Sequence, residues 1–252
     1  MNQIEKAGRV SSERGGGREV ESKSMELQVR DEGILRICFE HQFLTHQHVE
    51  QFFPGASARS LAYRRIERLV TGGYLQWDPM LQVNGHGILR LTRQGAELAK
   101  TLTTVELKRA RALSEVRLRH DAAVIETRLR LEHFWDGKFV CERAIRKKEF
   151  EELPDGLFYF PSGRVVVLEV ENSLKGRTRF QELLGRWKKR EELFFVLYVA
   201  TSDLLFRTLS PWLPPANENR PMGIITLSGL HGSAPKVWTK RGEAGLFERR
   251  AY

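Results

Sequence analysis

Three acidic residues stand where carboxylates could bind a cation or act on a phosphate group. Asp155 directly follows Pro154, and Glu169 and Glu171 lie at the end of the apolar run that begins at Arg164. Carboxylates on adjacent strands can hold Mg²⁺, which generates hydroxide from water and stabilises the charge of a pentacovalent phosphate. The structural alternative makes Asp155 a turn residue and the two glutamates the solvent-facing side chains of an alternating strand.

The elements around these acids are predicted from the pattern of apolar residues. Three runs are typical of strands: residues 138–145, 156–160 and 164–170. Pro161-Ser162-Gly163 supplies the turn between the last two. Thr178 and Gln181 have the spacing of a capping box, and the apolar run 194–200 after the helix that they open is typical of a buried strand. With a helical pattern before the first strand, the order is helix, three strands, helix, strand.

Pro154-Asp155-Gly156, a hairpin and then Glu169-Val170-Glu171 resemble the motif of the PD-(D/E)xK nuclease superfamily, whose core has this order of elements. The resemblance covers about residues 119–200. It implies that this part of the chain folds as a nuclease-like α/β domain.

The nuclease resemblance also implies roles for individual residues. Asp155 and Glu169 would hold Mg²⁺ if the domain is catalytic, and Glu126 would complete the ligands of the metal. The superfamily places a lysine two residues after the strand acid, where this chain has Glu171, so catalysis needs an amine from elsewhere. Lys175 and Lys188 are the candidates, and with Lys175 the catalytic set is Asp155, Glu169, Glu171 and Lys175. Without that amine, the fold would serve binding alone.

Composition points to a polyanionic partner. The chain carries 41 Lys and Arg against 32 Asp and Glu, a net charge of +9, which favours nucleic acid through attraction and counterion release. No run reaches the roughly 18 apolar residues of a membrane span, and the N-terminus lacks a signal-peptide core. Cys38 and Cys141 lie in apolar contexts, as buried thiols of a reducing compartment do. We therefore expect a cytoplasmic protein without a membrane partner.

An N-terminal module is predicted from three short helical patterns. Residues 1–24 are expected to form a flexible tail, since they offer almost nothing apolar to bury. Apolar residues at helical spacing cover residues 30–43, and Thr45 and Ser57 are candidate N-caps of two further helices. Gly72-Gly73 ends the third helix.

A hairpin is predicted directly after these helices. Residues 74–77 and 88–91 are typical of strands, and Asn84-Gly85-His86-Gly87 between them is a turn signal. The stretch from Leu91 to Leu98 resembles the entry into the last helix of many bacterial winged-helix domains. Three helices and a hairpin predict a winged helix-turn-helix over residues 30–98.

If the apolar stripe of the third helix is buried, five of its other side chains face the solvent. They are Arg59, Ser60, Tyr63, Arg64 and Arg68. Guanidinium groups contact phosphates and guanine edges, so this face is predicted to bind double-stranded DNA. His86, at the tip of the hairpin, is a candidate contact to the DNA backbone. The alternatives are an ordinary solvated helix face and a turn that Gly85 and Gly87 merely permit.

Taken together, the two halves resemble the plasmid replication-relaxation family, in which a Pro-Asp and a later Leu-Glu-Val are followed by a basic helix. The corresponding stretches are Pro154-Asp155, Leu168-Glu169-Val170 and Lys188-Lys189-Arg190. The expected fold class is α+β, with an N-terminal winged helix-turn-helix, a linker helix and a C-terminal α/β PD-(D/E)xK-like domain of order αβββαβ.

The predicted organisation is a flexible tail (1–24), a winged helix-turn-helix domain (25–102), a linker helix (103–118), a nuclease-like domain (119–240) and a C-terminal tail (241–252). The first functional hypothesis is a DNA-binding regulator or plasmid replication and maintenance factor whose second domain is a degenerate nuclease. The alternative is a Mg²⁺-dependent DNA endonuclease targeted by its winged helix. A third hypothesis is a scaffold in which the helical pattern over residues 103–134 forms a homodimer or pairs with another chain.

Overall fold

The computed structural model describes residues 26–150, 152–214 and 221–246. These residues form seven α-helices, a two-stranded hairpin and a seven-stranded sheet, a mixed α+β architecture. The expected N-terminal tail, residues 1–24, lies outside the described residues, and the expected C-terminal tail is described only to residue 246. Among the described helices, none combines the length and the apolar character that crossing a membrane requires.

The first part of the chain contains α1 (Val29–His41), α2 (His46–Glu50), α3 (Ala58–Thr71), β1 (Leu75–Val83), β2 (His86–Leu91) and α4 (Arg93–Leu102). Thr45 caps α2 as predicted, because its Oγ1 accepts a hydrogen bond from the backbone N–H of His48. Ser57 is the N-cap residue of α3, although its side chain caps no backbone N–H. The helix ends at Thr71, directly before the predicted glycine pair.

The hairpin is longer than the sequence predicts. β1 continues to Val83, and its pairing with β2 is irregular between Asp78 and Gln82. That irregularity interrupts the alternation of apolar residues, so the strand pattern was visible only at its start. Asn84 and Gly85 have φ angles of 51° and 79°, as the two central residues of a type I′ turn require.

The apolar faces of α1, α3 and α4 and of the hairpin enclose a first core. Ile34, Leu69 and Ile88 are completely buried within it. Cys38 is buried in the same core, and Cys141 is buried in the core between the sheet and α5, which confirms the prediction of two buried free thiols.

The linker helix predicted over residues 103–118 is wrong for most of its length. Residues 103–114 contain no helix, and α5 (Glu115–Phe134) begins only after Ser114. The backbone of the segment bonds to other parts of the molecule instead: Lys108 N–H donates to the carbonyl of Arg143, and the side-chain amide of Gln42 bonds both N–H and C=O of Arg111. These tertiary hydrogen bonds replace those of a helix, a competition that a helical sequence pattern does not reveal.

The second part consists of α5 and β3 (Lys138–Cys141), β4 (Gly156–Tyr159), β5 (Val165–Glu171), α6 (Arg177–Lys188), β6 (Phe195–Ala200), α7 (Asp203–Leu209), β7 (Met222–Thr226), β8 (Lys236–Thr239) and β9 (Gly242–Gly245). The strands lie side by side in chain order. β5, β6 and β7 are parallel and the outer pairs are antiparallel. The predicted order of helix, three strands, helix and strand is confirmed for α5 to β6.

Helices cover both faces of the sheet. Val124 and Leu131 of α5 share a core with Val166 and Leu168 of β5. The apolar residues of α6 and α7 share the other core with Val167, whose side chain points to the opposite face of that strand. Glu169 and Glu171 have the same parity as Val167 and therefore lie on the α6 face.

Several boundaries in this part differ from prediction. β3 ends at Cys141, where a 3₁₀ turn follows, and not at residue 145. The capping box of Thr178 and Gln181 is wrong, because α6 begins at Arg177 after Gly176, and no side chain caps it. The sequence pattern does not predict α7, β8 or β9, since these short elements lack a clear period.

Candidate active site and nucleic-acid interface

The strand β5 carries the two glutamates into the protein. Glu169 and Glu171 share the α6 face with Val167, and their exposures are 6% and 1%. The alternative of an ordinary strand with solvent-facing glutamates is therefore wrong. Burying a carboxylate costs several kcal/mol unless it is paired, bonded or protonated, so the environment of these two groups must compensate for the loss of water.

Asp155 joins the sheet to α5. It directly precedes β4, and its Oδ2 accepts a 2.7 Å hydrogen bond from the backbone N–H of Val170. The same oxygen lies 3.3 Å from Nε2 of His120, whose Nδ1 is 3.1 Å from Oδ1 of Asp121. His120 and Asp121 belong to the second turn of α5, so the helix presents an imidazole held between two carboxylates.

The charge of His120 follows from this position. Burial lowers the pKa of His120, but the hydrogen bonds and charges of Asp121 and Asp155 outweigh burial and raise it to about 10. The imidazole is therefore a cation at neutral pH, and it offsets the charge of Asp155.

Lys175 supplies a second cation at the end of β5. Its Nζ lies 2.7 Å from Oε1 of Glu171. Burial lowers the pKa of Lys175, yet its hydrogen bond to Glu171 and the charges of the nearby acids raise it overall. The superfamily has its lysine at the position of Glu171. The amine of Lys175, which is predicted to replace that lysine, thus lies beside Glu171.

The pKa of each glutamate is raised. Burial and the charge of Asp155 hold the pKa of Glu169 well above its ordinary value, while Lys175 acts in the opposite direction. Burial also raises the pKa of Glu171, against the hydrogen bond from Lys175. A carboxyl group with a raised pKa keeps its proton to higher pH, which is the property that a general acid needs.

The third predicted metal ligand lies elsewhere. Glu126 bonds through Oε1 to His231, in a groove on another side of α5. No group of three or more His, Cys, Asp or Glu residues in the described part of the chain is arranged to hold a metal ion. Glu126 therefore bonds away from Asp155 and Glu169, and the magnesium site that the nuclease resemblance implies stays a prediction.

A small cavity of about 80 Å³ opens beside Asp155 and His120. Three arginines line it, namely Arg111, Arg117 and Arg143. Glu142 pairs with Arg111 at 2.9 Å and with Arg117 at 3.4 Å. The surroundings of Asp155 therefore offer guanidinium groups as well as carboxylates.

Sequence patterns did not single out Tyr198. It pairs with Glu169 in the register of β5 and β6, and it is completely buried on the same face. Burial and the charge of Glu169 raise the pKa of Tyr198 well above its usual value. Its place within an otherwise apolar run was the only available signal.

The predicted DNA-binding residues of α3 are all exposed, namely Arg59, Ser60, Tyr63, Arg64 and Arg68, as is His86 at the hairpin turn. The remaining arginine of the helix behaves differently. Arg65 is buried and forms a short ion pair with Asp31 of α1, so it anchors the helix. Arg59, Arg64 and Arg68, which we call the arginine face, are spread around the exposed half of α3, whereas Arg65 is turned inward.

His46 connects α3 to the hairpin, which the sequence did not predict. Its ring stacks on Tyr63 with 5.1 Å between centroids and meets His86 edge-on at 4.9 Å. Burial and the neighbouring His86 lower the pKa of His46, so its ring is neutral at pH 7. Tyr63 and His86, which come from separate elements, thereby belong to one continuous surface.

Comparison with known proteins identifies one family. A family model described as replication-relaxation matches residues 35–189, more than half of the 252-residue chain. The match extends from α1 to the first residue after α6. It therefore includes both the arginine face of α3 and the carboxylate cluster, which consists of Asp155, Glu169 and Glu171. No curated protein and no solved structure matches the chain.

Proposed function

The chain belongs to the replication-relaxation family, and from this we propose that it is a plasmid replication or maintenance factor that binds double-stranded DNA. In this proposal the first part of the chain is a winged helix-turn-helix, with α3 as the recognition helix and the β1–β2 hairpin as the wing. The observation that carries the proposal is the exposed arginine face of α3, joined through His46 to the tip of the hairpin.

The chemistry of this surface suits the backbone and bases of DNA. Arg59, Arg64 and Arg68 are spread around the exposed half of the helix, where guanidinium groups can pair with phosphates and with the O6 and N7 atoms of guanine. The buried pair of Arg65 and Asp31 fixes the helix on its core. A rigid helix loses little freedom on binding, so more of the contact energy appears as affinity.

The test is a salt-titrated binding assay on duplex DNA with the full chain. Substituting Arg59, Arg64 and Arg68 by Ala should abolish measurable binding and lower the slope of log Kd against log salt by about 0.9 for each phosphate that is no longer neutralised. The matched control replaces the exposed Lys147, Arg207 and Lys236, which removes the same charge elsewhere. Equal losses of affinity in both variants would reduce the proposal to general attraction by net charge.

A second candidate function is DNA cleavage by a PD-(D/E)xK-like second part. The observation that favours it is the amine of Lys175 lying among Glu171, Glu169 and Asp155. In phosphodiester hydrolysis water attacks phosphorus and the bond to the leaving oxygen breaks. Lys175 would stabilise the charge on the phosphate, and Glu169 would exchange a proton with the attacking water or the leaving oxygen.

Cleavage is tested by conversion of supercoiled plasmid to nicked circles, with and without added Mg²⁺ or Mn²⁺. If this function is correct, Asp155→Ala and Glu169→Ala remove the activity, and Lys175→Met reduces it by about 100-fold or more. The Arg207→Ala variant should cut as the wild type does. Absence of nicking by the wild type on DNA that it demonstrably binds would leave the second part as a binding domain.

A further inference from the structure

A groove of about 850 Å³ separates α2 and the start of α3 from α5. Its lining combines aromatic and cationic side chains with two carboxylates, Glu50 and Glu126. Phe52 and Phe53 follow α2, Arg59 is at the start of α3, and Arg130 and His133 come from α5. Cations interleaved with aromatic rings are the side chains by which proteins hold the backbone and the unpaired bases of single strands.

Arg130 is held in a fixed position on the floor of this groove. Its Nη2 bonds to Nδ1 of His231, and Nε2 of His231 bonds to Oε1 of Glu126. A guanidinium nitrogen can only donate, so Nδ1 accepts, and the N–H at Nε2 donates to Oε1 of Glu126. The carboxylate and the imidazole thus orient the guanidinium, which is the role of Glu126 in this structure.

Two buried polar atoms in the groove lack partners. Arg130 Nε, a donor, and Gln51 Oε1, an acceptor, find no hydrogen-bond partner among the described residues. Leaving a buried polar group unsatisfied costs about 1–3 kcal/mol, so both atoms favour a ligand that brings an acceptor and a donor together. A phosphate oxygen meets the first need, and the N–H of a nucleobase meets the second.

We propose that this groove binds single-stranded DNA, with a backbone phosphate at Arg130 and an unpaired base against Phe52. Arg59 belongs both to the groove and to the exposed face of α3. If one DNA strand separates from a duplex bound to α3, it can enter the groove directly, because Arg59 connects the two cationic surfaces. The inference rests on the proposed DNA contact of α3 and adds the single-stranded part of the same substrate.

The experiment compares two labelled probes on the full chain by fluorescence anisotropy: a 15-nucleotide thymidine oligomer and a blunt duplex. Arg130→Gln should weaken oligomer binding about tenfold and lower its salt slope by about 0.7, the value for one phosphate contact on a single strand. Its affinity for the blunt duplex should change less than about twofold. Arg207→Gln, on the distant α7, is the matched control and should change neither.

A second variant covers the event that Arg130→Gln unfolds. Phe52→Leu keeps an apolar side chain of similar reach but removes the ring, and it should weaken oligomer binding about fivefold or more because the base can no longer stack. Oligomer binding unchanged in a folded variant, or oligomer and duplex weakened equally, would overturn the single-strand site. Wild-type binding to the duplex but not the oligomer overturns only this inference, whereas binding to neither overturns the proposed function as well.

Discussion

The two carboxylates that flank His120 make it a charged link between α5 and the sheet. Its pKa of about 10 in the folded protein exceeds the ordinary value of 6.5. A raised pKa stabilises the fold fully below the unfolded pKa and progressively less as pH rises through the folded pKa. We therefore expect His120→Gln to destabilise the protein by about 1–2 kcal/mol at pH 6 and clearly less at pH 9.5.

Urea unfolding of both proteins at matched pH values gives this difference. His133→Gln is the control, because it removes an exposed histidine from the last turn of the same helix. A deficit that stays constant between pH 6 and pH 9.5 would contradict a charged His120.

Lys175 compensates the burial of Glu171. Without it, the pKa of Glu171 rises further, and ionising this carboxylate in the folded state costs more stability as pH increases above about 4.5. Since Lys175 is partly exposed, we expect Lys175→Met to cost about 1–2 kcal/mol at pH 8 and less at pH 5. Adding Glu171→Gln should restore most of the stability, and a double variant as unstable as the single one would argue against this pairing.

The segment 103–114 depends on the side chain of Gln42 for its conformation. The side-chain amide accepts from the N–H of Arg111 and donates to its carbonyl, at 3.1 and 2.6 Å. Gln42 itself has a φ of 76°, a left-handed conformation that costs a non-glycine residue about 1 kcal/mol. The anchor is thus formed at the expense of local backbone strain.

Replacing Gln42 separates these two effects. Gln42→Ala loses the amide and keeps the strain, so we expect a loss of about 1 kcal/mol in stability. Gln42→Gly loses the amide but relieves the strain, so its global stability should approach that of the wild type. Both variants should accelerate amide hydrogen exchange in residues 108–113 equally, and exchange at the wild-type rate in either would rule out the anchoring role.

Elements with a strong local signal could be predicted from the sequence. Thr45 marked the start of α2, Asn84 and Gly85 marked the hairpin turn, and the apolar run before Glu169 marked β5. The non-helical conformation of residues 103–114 could not be predicted, because their backbone partners come from distant parts of the chain. Local periodicity reports which conformation a segment favours, but not which tertiary bonds compete with it.

The candidate site was predictable to a similar degree. The motif brought Asp155, Glu169 and Lys175 into one hypothesis, and the structure places Lys175 beside the carboxylates. The resemblance assigns Glu126 to the same site as the acid that completes the metal ligands. Its actual partner, His231, approaches another side of α5 from a turn far along the chain, and no spacing in the sequence encodes that approach.

The helix α5 contributes to two hydrophobic cores, that of the first part of the chain and that between α5 and the sheet. Leu118 and Ile125 pack into the core of the first part, whereas Val124 and Leu131 pack beneath the sheet. The apolar side chains of this fully described helix are thus used within the chain, apart from the exposed Val116. The homodimer contact predicted for the helix would have to use its polar residues, and it stays a prediction.

A buried ion pair links α1 of the first part of the chain to α5. Arg128 of α5 is completely buried, pairs with Glu40 at the end of α1, and lies over the ring of Phe139 with 5.0 Å to its centroid. It also lies 3.0 Å from Nε2 of His41. Burial and the charge of Arg128 hold the pKa of His41 well below its ordinary value, so the imidazole is neutral and accepts this hydrogen bond. The end of α1 is therefore fixed to α5 by charge and hydrogen bonding as well as by packing.

This junction predicts that the two parts unfold together. Arg128→Met leaves Glu40 buried without its cation, which should cost about 3–5 kcal/mol. Because α5 is shared by both cores, the destabilisation should appear equally in β2 of the first part and β6 of the second. Hydrogen exchange of peptides from these strands measures both, and Glu40→Gln combined with Arg128→Met should regain part of the stability. If protection falls in β2 while β6 is unchanged, the two parts are separate folding units, and the arginine face of α3 could then move independently of the carboxylate cluster.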